Sequence, residues 1–502
     1  MESVLNALHY AGIIFLVIMV FNLMILVHEW GHFLAARWRG LKVDKFQIWF
    51  GAPIWKKTYN GVQYGLGWIP AGGFVALPQM APMEAIEGGS GEREQLPPIS
   101  PLDKIIVAFA GPLFSFMLAC LFAAIVFKVG KPEQEGMVTT TIGWVAPDSN
   151  ADKGGLKAGD KILEIDGRPV RTFGGLVDSV RWNVVSSENN PIPFLVERPG
   201  QPKALLIPVT AEVVEKEKGS IFSFLFKRKQ LREVGIAGKQ TPMVAGTQEN
   251  SPAAEAGIQA TDLITSVDGQ ELLSLYQLGD YIEKNPSKKL ELGIVRDKGK
   301  PTEKSLTVHV TPRLPDVRPD DDKGRQLIGV IWDQNGLRQI SHPRPWTQIQ
   351  DAIKTMGATI SAIISRKSEI NMGHLSGPIG IGRAYYTLLD DPYGLQRILW
   401  FSVVLNVNLA IMNMLPFPVL DGGHITMALL EWIRRRPINI RILEVVQMVC
   451  VFLLLGFMVF VSMKDAGDMV GGGGKGSKRE PKQEYRFLPA NQRQTAAPAP
   501  GQ

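Results

Sequence analysis

Four apolar runs, each long enough to cross a lipid bilayer, constrain the fold of this chain more than any other feature. They cover residues 13–36, 105–129, 398–415 and 445–463, and about 20 apolar residues span the hydrocarbon core of a membrane. The chain is 45% hydrophobic and 20% charged, with a mean hydropathy of +0.04. This balance is too apolar for an ordinary soluble protein and too polar for membrane helices alone. We therefore expect membrane helices combined with extramembrane domains.

Basic residues predict the orientation of the four runs. They cluster in the loop after the first run and in the loop after the third. Both loops should be cytoplasmic, because cytoplasmic loops are rich in Lys and Arg. The segment from residue 131 to about 397 and both termini should then lie outside the cytoplasm. The stretch GGGGKGSKREPKQ, from Gly471, is basic and runs against this orientation, but its composition predicts a disordered tail over residues 465–502.

Charge and cysteine usage exclude other classes of protein. The net charge of +6 owes much to the basic loops and the tail, so it does not indicate binding of nucleic acid. The two cysteines, Cys120 and Cys450, each lie in an apolar run. They therefore offer neither a disulfide framework nor a cysteine-rich metal site.

The long external segment contains an internal repeat. Residues 145–170 align with residues 247–272, which pairs Asp160 with Asp262. Each copy predicts a short helix ending at Gly, a β-branched strand and a tight Asp-Gly turn, followed by strand-like stretches such as ALLIPVT and SLTVHVT. The pattern resembles PDZ domains of the bacterial protease type, which bind extended peptides or chain ends along a sheet edge. The alternative is that the two copies only space or shield the membrane part.

The first apolar run carries ionisable residues in the stretch ILVHEWGHFLAARWRG, residues 25–40. His28 and His32 are four residues apart, so they share a helix face and can bind one metal ion, while Glu29 points near the same place. This HExxH pattern is typical of zinc hydrolases, in which the glutamate accepts a proton from the attacking water. Chance placement on a buried helix is the alternative, but ionisable groups inside an apolar span are costly and usually functional.

The third apolar run supplies a candidate third ligand. Pro416 and Pro418 end its helix just before Asp421, and non-helical backbone at membrane depth is tolerated where it is buried in protein or lines a wet cavity. Asp421 would complete a three-ligand site that leaves a fourth position for water. Asp421 is alternatively a helix cap. His424 competes as a third ligand, and we otherwise interpret it as a cap or packing residue.

HEWGH, the stretch NMLPFPVLDGG, four spans and a tandem PDZ-like insert together resemble the site-2 protease family of intramembrane zinc metalloproteases, in its bacterial RseP type. The resemblance covers nearly the whole chain up to about residue 465. It implies that His28, His32 and Asp421 bind Zn²⁺ and that Glu29 is the catalytic base. It also implies that polar and proline residues of the third run bind the substrate backbone, the candidates being Asn408, Asn413, Pro416 and Pro418. The asparagines of this run, including Asn406, are alternatively interhelical hydrogen-bond partners.

The loop after the first run contains a predicted β element. Residues 50–77 alternate and carry turn signals, which indicates a hairpin or small sheet. In the family a membrane-reentrant β element lies here and clamps the unwound substrate as an added strand. The resemblance therefore implies that Gly72, Gly73 and Phe74 form its substrate-binding tip. An ordinary cytoplasmic hairpin is the alternative.

Two further segments leave alternatives open. The stretch AGPLFSFMLA, residues 110–119, resembles the family's second-span motif, but Ser115 stands where an asparagine is usual, so its role is unassigned. Apolar residues recur at helical spacing between Trp346 and Ile363. That helix either lies on the outer membrane surface beside the entry gate or packs against its neighbours.

The expected fold is a multi-pass α-helical membrane protein with four transmembrane helices, a membrane-associated β-hairpin or sheet and two extracytoplasmic PDZ domains. The expected divisions are residues 1–37 (first span), 38–103 (loop with the β element), 104–130 (second span), 137–238 and 239–332 (PDZ domains), 333–395 (linker with the amphipathic helix), 396–433 (third span with the LDG motif), 444–464 (fourth span) and 465–502 (tail).

The function implied is that of an intramembrane zinc metalloprotease of the inner (cytoplasmic) membrane. Its substrates would be single-span membrane proteins such as anti-sigma factors, already shortened by a first cleavage outside the membrane, with remnant signal peptides as a further candidate. Other expected partners are peptides or chain ends at the PDZ domains and the lipid bilayer, but no nucleic acid. The alternative is a membrane-anchored tandem-PDZ binding protein with a non-catalytic metal site, which a closed four-ligand site including His424 would support. A soluble-type metalloprotease with accessory anchors is disfavoured, because the external region has no further HExxH.

Overall fold

A computed structural model describes residues 2–80, 97, 99–211, 231–318, 324–365, 368, 370–436, 440–468 and 485–489. The helices are α1 (Glu2–Trp38), α2 (Pro101–Val129), α3 (Glu135–Val138), α4 (Asn150–Gly154), α5 (Val180–Ser186), α6 (Pro252–Glu255), α7 (Leu275–Lys284), α8 (Pro345–Ile364), α9 (Pro378–Leu389), α10 (Gly394–Asn413), α11 (Asp421–Arg434) and α12 (Ile440–Gly467).

The strands are β1 (Lys45–Tyr59), β2 (Val62–Ala76), β3 (Lys131–Gln134), β4 (Ile142–Val145), β5 (Lys161–Ile165), β6 (Arg168–Pro169), β7 (Ile192–Glu197), β8 (Leu205–Val209), β9 (Ile236–Gly238), β10 (Val244–Thr247), β11 (Leu263–Val267), β12 (Gln270–Glu271), β13 (Leu290–Arg296), β14 (Lys304–Val310), β15 (Val330–Trp332) and β16 (Arg338–Ser341).

Four of these helices, α1, α2, α10 and α12, are long and apolar enough to cross a membrane. The four apolar runs expected to cross the membrane therefore lie in helices long enough to do so. The helix α2 lies among α1, α10 and α11. Its start is fixed by Ser100, whose hydroxyl accepts from the backbone N–H of Asp103 at 3.2 Å, and its end by Gly130 at φ 81°.

The start of α1 and the end of α12 both contact the same segment, residues 377–386. Near the start of α1, Tyr10 stacks on Tyr386 with ring centroids 6.3 Å apart. Near the end of α12, Asp465 accepts hydrogen bonds of 2.9 Å from the backbone N–H groups of Gly377 and Gly380. This arrangement agrees with an even number of spans, which returns the chain to the side from which it starts.

The helix of the third span ends close to the prolines that were expected to end it. The helix α10 stops at Asn413, a turn contains Pro416 and Pro418, and α11 begins at Asp421 as a separate helix. Proline has no backbone N–H and restricts the residue before it, so the chain cannot remain helical through this turn. Two glycines at the start of α11 let the turn pack closely, because a Cβ at Gly422 would lie 2.2 Å from the Met414 carbonyl oxygen.

The strands β1 and β2 form an antiparallel element that folds back on itself, since residues 45–48 pair with residues 63–66 and also with residues 73–76. Its turn is Asn60–Gly61, with φ values of 46° and 76°, the left-handed pair that a two-residue hairpin favours. Gly72, Gly73 and Phe74 lie at the other end of the element from this turn, and their role as a substrate-binding tip stays a prediction. They lie within β2, where Gly73 pairs with Ile48.

The internal repeat appears as two units of the same construction, called here the first and second repeat units. The first contains the sheet β6-β5-β7-β8 and the pair β4–β9, and the second contains β12-β11-β13-β14 and the pair β10–β15. The predicted strands in ALLIPVT and SLTVHVT are confirmed as β8 and β14. Each unit buries its own apolar cluster.

An ion pair that sequence alignment did not identify recurs in both repeat units. Asp160 is fully buried and accepts two hydrogen bonds of 2.7 Å from Arg198. Asp262 is likewise buried and accepts two of 2.7 Å from Arg296. Each arginine also donates to the carbonyl oxygen of the helix-ending glycine, and these bidentate bonds compensate the buried carboxylates.

The helix α8 and the predicted tail, residues 465–502, differ from what the sequence alone indicated. The helix α8 packs through Ile349 and Ala352 against α2 and α10, while Trp346 and Ile364 are exposed, so it combines a packed and an exposed apolar face. In the segment predicted to be a disordered tail, residues 465–467 belong to α12, and residues 485–489 lie against the second repeat unit. The rest of that predicted tail, residues 469–484 and 490–502, lies outside the described residues.

Candidate metal centre

Three side chains that are far apart in the sequence converge between α1 and α11. The Nε2 atoms of His28 and His32 are 3.3 Å apart. Asp421 places one carboxylate oxygen 3.2 Å from His28 Nε2 and the other 3.3 Å from His32 Nε2. Among the described residues, these three are the group of ligand-type side chains close enough to hold one metal ion.

The spacing of these atoms fits a tetrahedral zinc ion. Ligand atoms about 2.0–2.1 Å from a tetrahedral ion lie roughly 3.3 Å from one another, which is close to the distance between the two Nε2 atoms and to the distance from each Nε2 to its nearer carboxylate oxygen. Two imidazoles and one carboxylate are also a donor set typical of catalytic zinc. The residues present therefore fit the metal.

Hydrogen bonds on the far side of each ring direct the Nε2 atoms towards the site. His32 Nδ1 lies 2.8 Å from the Val107 carbonyl oxygen, which can only accept, so Nδ1 carries a proton and donates it. His28 Nδ1 lies 3.0 Å from the buried hydroxyl of Ser115. A proton on each Nδ1 leaves the Nε2 lone pairs available for a metal.

Two glycines allow α1 and α2 to approach at the height of the site. A Cβ at Gly31 would lie 2.4 Å from the Ala110 carbonyl oxygen. A Cβ at Gly111 would lie 2.1 Å from His32 Nε2. Neither position accepts a side chain without moving a helix or a metal-ligand candidate.

Glu29 lies in the same cavity as the three ligand atoms. The cavity has a volume of about 290 Å³. Glu29 also lies next to β2, because a Cβ at Gly73 would be 3.4 Å from Glu29 Cγ. The cavity is lined by Ile25, His28, Glu29, His32, Gly72, Gly73, Val75, Leu77, Met80, Val107, Ala108, Leu409, Asn413, Val419, Leu420, Asp421 and His424.

The residues predicted to bind substrate divide into two groups. Gly72, Gly73 and Asn413 line the cavity, and the Asn413 side-chain amide nitrogen lies 3.4 Å from His28 Nε2. The other candidates, Asn408, Phe74, Pro416 and Pro418, are not among the lining residues. Asn406 is fully buried and donates to the Ser402 carbonyl oxygen at 2.8 Å, a structural contact within α10.

His424 faces the cavity without joining the three-residue group. It is buried, and its Nε2 has no hydrogen-bond partner among the described residues. Sequence reasoning interpreted it as a cap or packing residue. Its place on α11, one turn after Asp421, brings it to the cavity wall.

Sequence reasoning missed Ser115 and Val107 as partners of the histidines. Ser115 was noticed only because an asparagine is usual there, and a backbone carbonyl leaves no signal in a sequence. Trp49 was missed as well: it has φ 66°, and its indole N–H donates to the Asn22 side chain, which joins β1 to α1.

Comparisons with known proteins identify a family and several relatives. A family model described as Peptidase family M50 matches residues 15–457. The "Regulator of sigma-E protease RseP" of Escherichia coli K12 is 28% identical over 473 residues, covering 88% of this chain and 96% of that protein. The "Putative zinc metalloprotease" of Vibrio cholerae is 27% identical over 450 residues, covering 85% and 92%.

Among solved structures, the PDZ domain of an SdrC-like protein from Listeria monocytogenes is 23% identical to this chain. The match covers 20% of this chain and 95% of the Listeria chain, and its TM-score is 0.15.

Proposed function

The chain belongs to peptidase family M50 and is a zinc metalloprotease of the site-2 protease family, and from this premise we propose that it cuts the membrane-spanning segments of single-span proteins inside the bilayer. One observation carries the proposal. The ligand candidates His28, His32 and Asp421, with 3.3 Å between the two Nε2 atoms and 3.2–3.3 Å from each Nε2 to its nearer carboxylate oxygen, share a cavity with Glu29, and the helices around that cavity include three of the four candidate spans. Hydrolysis would therefore take place between membrane helices.

We propose that His28, His32 and Asp421 hold the zinc ion. When bound, zinc supplies Lewis acidity, which polarises the scissile carbonyl group and makes water a stronger nucleophile. Ser115 and the Val107 carbonyl fix the two imidazole rings in the orientation that metal binding requires. The carboxylate of Glu29 accepts the proton of the attacking water and later returns it to the leaving amine.

The strand β2 supports a way to present the substrate. A helical substrate cannot be cut, because its backbone carbonyls are paired and shielded, so it must unwind beside the site. Residues 73–76 pair with residues 45–48 on one side, and their other side has no strand partner among the described residues. An unwound substrate can add there as a further strand, next to Glu29. Asn413, across the cavity, is placed to hydrogen bond the same backbone.

We place the protein in the inner (cytoplasmic) membrane with the repeat units and both termini outside the cytoplasm, as the distribution of basic residues favours. The repeat units are proposed to be PDZ domains that receive peptides or chain ends. Substrates of this arrangement are anti-sigma-factor-like membrane proteins and remnant signal peptides, shortened outside the membrane before they reach the cavity.

The test compares the native chain with Glu29→Gln in proteoliposomes that contain a single-span substrate with a truncated external part. Glu303→Gln, the same change in an exposed loop, is the matched control. We expect all three proteins to bind one equivalent of zinc, and only the native chain and Glu303→Gln to cut the substrate. Removing the γ-carboxylate base should lower the rate by at least about 10²-fold.

Two results would contradict the proposal. If Glu29→Gln cuts as fast as the native chain, Glu29 is not the base. If the native chain binds zinc but cuts none of a panel of shortened substrates, the membrane-anchored binding protein with a non-catalytic metal site becomes the better interpretation.

A further inference from the structure

A short segment near the C-terminus packs on the second repeat unit. Arg486 forms an antiparallel bridge with Val317: Arg486 N–H donates to the Val317 carbonyl oxygen at 3.0 Å, and Val317 N–H donates to the Arg486 carbonyl oxygen at 3.1 Å. The backbone N–H of Leu488 donates to the Asp316 carboxylate at 2.7 Å. The contact is therefore strand-like, in the way that extended peptides add to a sheet or loop edge.

An aromatic side chain anchors this segment. Phe487 is only 4% exposed, although it follows α12 by some twenty residues and belongs to no helix or strand. The guanidinium carbon of Arg313 lies 5.1 Å from its ring centroid, a cation–π contact. The ring fills the space beside Gly329, where a Cβ would lie 2.9 Å from Phe487 Cε2.

The glycine beside this ring has an equivalent in the other repeat unit. Gly329 has φ 75° and lies against Ser251, the helix cap of α6. In the first repeat unit Gly235 has φ 83° and lies against Ser149, the helix cap of α4. Both units therefore contain the same bare backbone surface, and in the second unit the Phe487 ring covers it.

The anchored segment leads into a groove. A cavity of about 460 Å³ lies between α7 and residues 327–332, and Tyr485 contributes to its lining. Leu275, Leu278 and Ile282 line it from α7, and so does Trp144 of the first repeat unit, whose ring centroid lies 4.8 Å from that of Tyr276. The strand β15 pairs with β10 and with no other strand among the described residues, and its Val330 and Trp332 line this groove. Such a strand edge beside an apolar helix face suits an extended peptide.

We propose that the second repeat unit carries a site for a short extended peptide with an aromatic anchor residue, and that Tyr485–Pro489 of this same chain is its resident occupant. A second peptide of this chemistry must displace Phe487 from Gly329 and Tyr485 from the groove. In this site an aromatic side chain packs between the backbone of Gly329 and the guanidinium group of Arg313. The peptide backbone forms hydrogen bonds with Asp316 and Val317. This inference is independent of the proteolytic chemistry proposed above.

The first test is a disulfide between facing residues in the full-length chain. Residues that exchange both backbone hydrogen bonds across an antiparallel bridge have Cα atoms about 5.5 Å apart, within the range for a disulfide. Val317→Cys with Arg486→Cys should therefore cross-link in membranes, as detected by mass spectrometry of the joined peptides. The pair Glu197→Cys with Arg486→Cys, which places the first cysteine on the first repeat unit, should not. Failure of the facing pair, or equal yield from both pairs, would overturn the docked segment.

The second test asks whether the site exchanges its occupant. A fluorescein-labelled peptide of residues 483–491, QEYRFLPAN, is titrated onto the full-length chain in detergent, in native form and as Phe487→Ala. A tethered occupant at an effective concentration of about 1 mM weakens a competitor with a dissociation constant of roughly 100 µM by about tenfold. We expect Phe487→Ala to bind the labelled peptide at least about tenfold more tightly than the native chain.

One further protein and one altered peptide make this second test decisive. A chain ending at Asp468 should match Phe487→Ala, and the same peptide with Phe487→Ala should bind none of the proteins. If the labelled peptide binds the native chain, Phe487→Ala and the shortened chain equally, or binds none of them, the segment is not an exchangeable occupant and the proposal fails.

Discussion

Replacing Ser115 with alanine tests whether a single hydroxyl positions the metal centre. The Ser115 side chain is fully buried, and its oxygen is 3.0 Å from His28 Nδ1. Ser115→Ala removes this hydrogen-bond partner and leaves a space smaller than a water molecule, so the ring nitrogen loses its partner without replacement. The His28 ring is then free to rotate away from the position that its Nε2 needs.

The expected effect is a weakening of zinc binding rather than its loss. Removing a hydrogen-bond partner behind a metal ligand typically costs about 10- to 100-fold in metal affinity, which corresponds to about 1.4–2.7 kcal/mol. His32 keeps its bond to the Val107 carbonyl, and Asp421 is untouched. Two of the three ligand candidates therefore remain oriented.

The measurement is a zinc competition titration against a chelator of known affinity, on the purified chain in detergent. Ser402→Ala is the matched control, because Ser402 is also buried and its hydroxyl lies 2.7 Å from the Tyr385 hydroxyl, away from the site. We expect Ser115→Ala to lose zinc affinity and Ser402→Ala to keep it. If both variants stay within about threefold of the native affinity, Ser115 does not position His28 and the reasoning is refuted.

Three further predictions follow from the geometry. Gly111→Ala should displace His32, because the new Cβ would lie 2.1 Å from the His32 Nε2. Zinc content and cleavage rate should both fall at least about tenfold. The control Gly456→Ala, at a position with open space around it, should leave both unchanged. Asp421→Ala should lose zinc, as measured by metal analysis, whereas His424→Ala should retain one equivalent, because His424 stands outside the ligand group; loss of zinc by His424→Ala would make it a ligand. A hydrogen bond from the Glu291 backbone N–H, together with Lys288, lowers the pKa of Asp268 to about 2. The ionised Asp268 therefore contributes fully to stability above the unfolded-state pKa of about 4, and this contribution disappears as the pH falls towards 2. Hydrogen exchange of β13, corrected for intrinsic rates, should accelerate between pH 5 and 2.5 in the native chain more than in Asp268→Asn, and an identical response would contradict this.

Local patterns were enough to predict the membrane part and two of the ligand candidates. An apolar run of sufficient length must be a helix in a bilayer, because its backbone groups have no other partners there. A spacing of four residues puts His28 and His32 on one helix face whatever the rest of the chain does. Asp421 was predicted less directly, from the prolines that end the third span.

Some features were present in the sequence and were not used. Asn60–Gly61 is a standard hairpin turn, yet it was not identified as the turn of the β element. Arg198 and Arg296 stand at equivalent places in the two repeat units, but they lie beyond the aligned stretches, and an isolated arginine on a strand predicts no particular partner.

By itself, the sequence determined the spans, the repeat and the types of residue available to bind a metal, because each of these depends on spacing within one helix or one strand. Only the tertiary structure decided which atoms complete the site. Ser115 reaches His28 across 87 positions and Asn413 across 385, and Phe487 finds its cleft beside Gly329. Such contacts depend on how whole elements pack, and packing is a property of the assembled chain that no local period encodes.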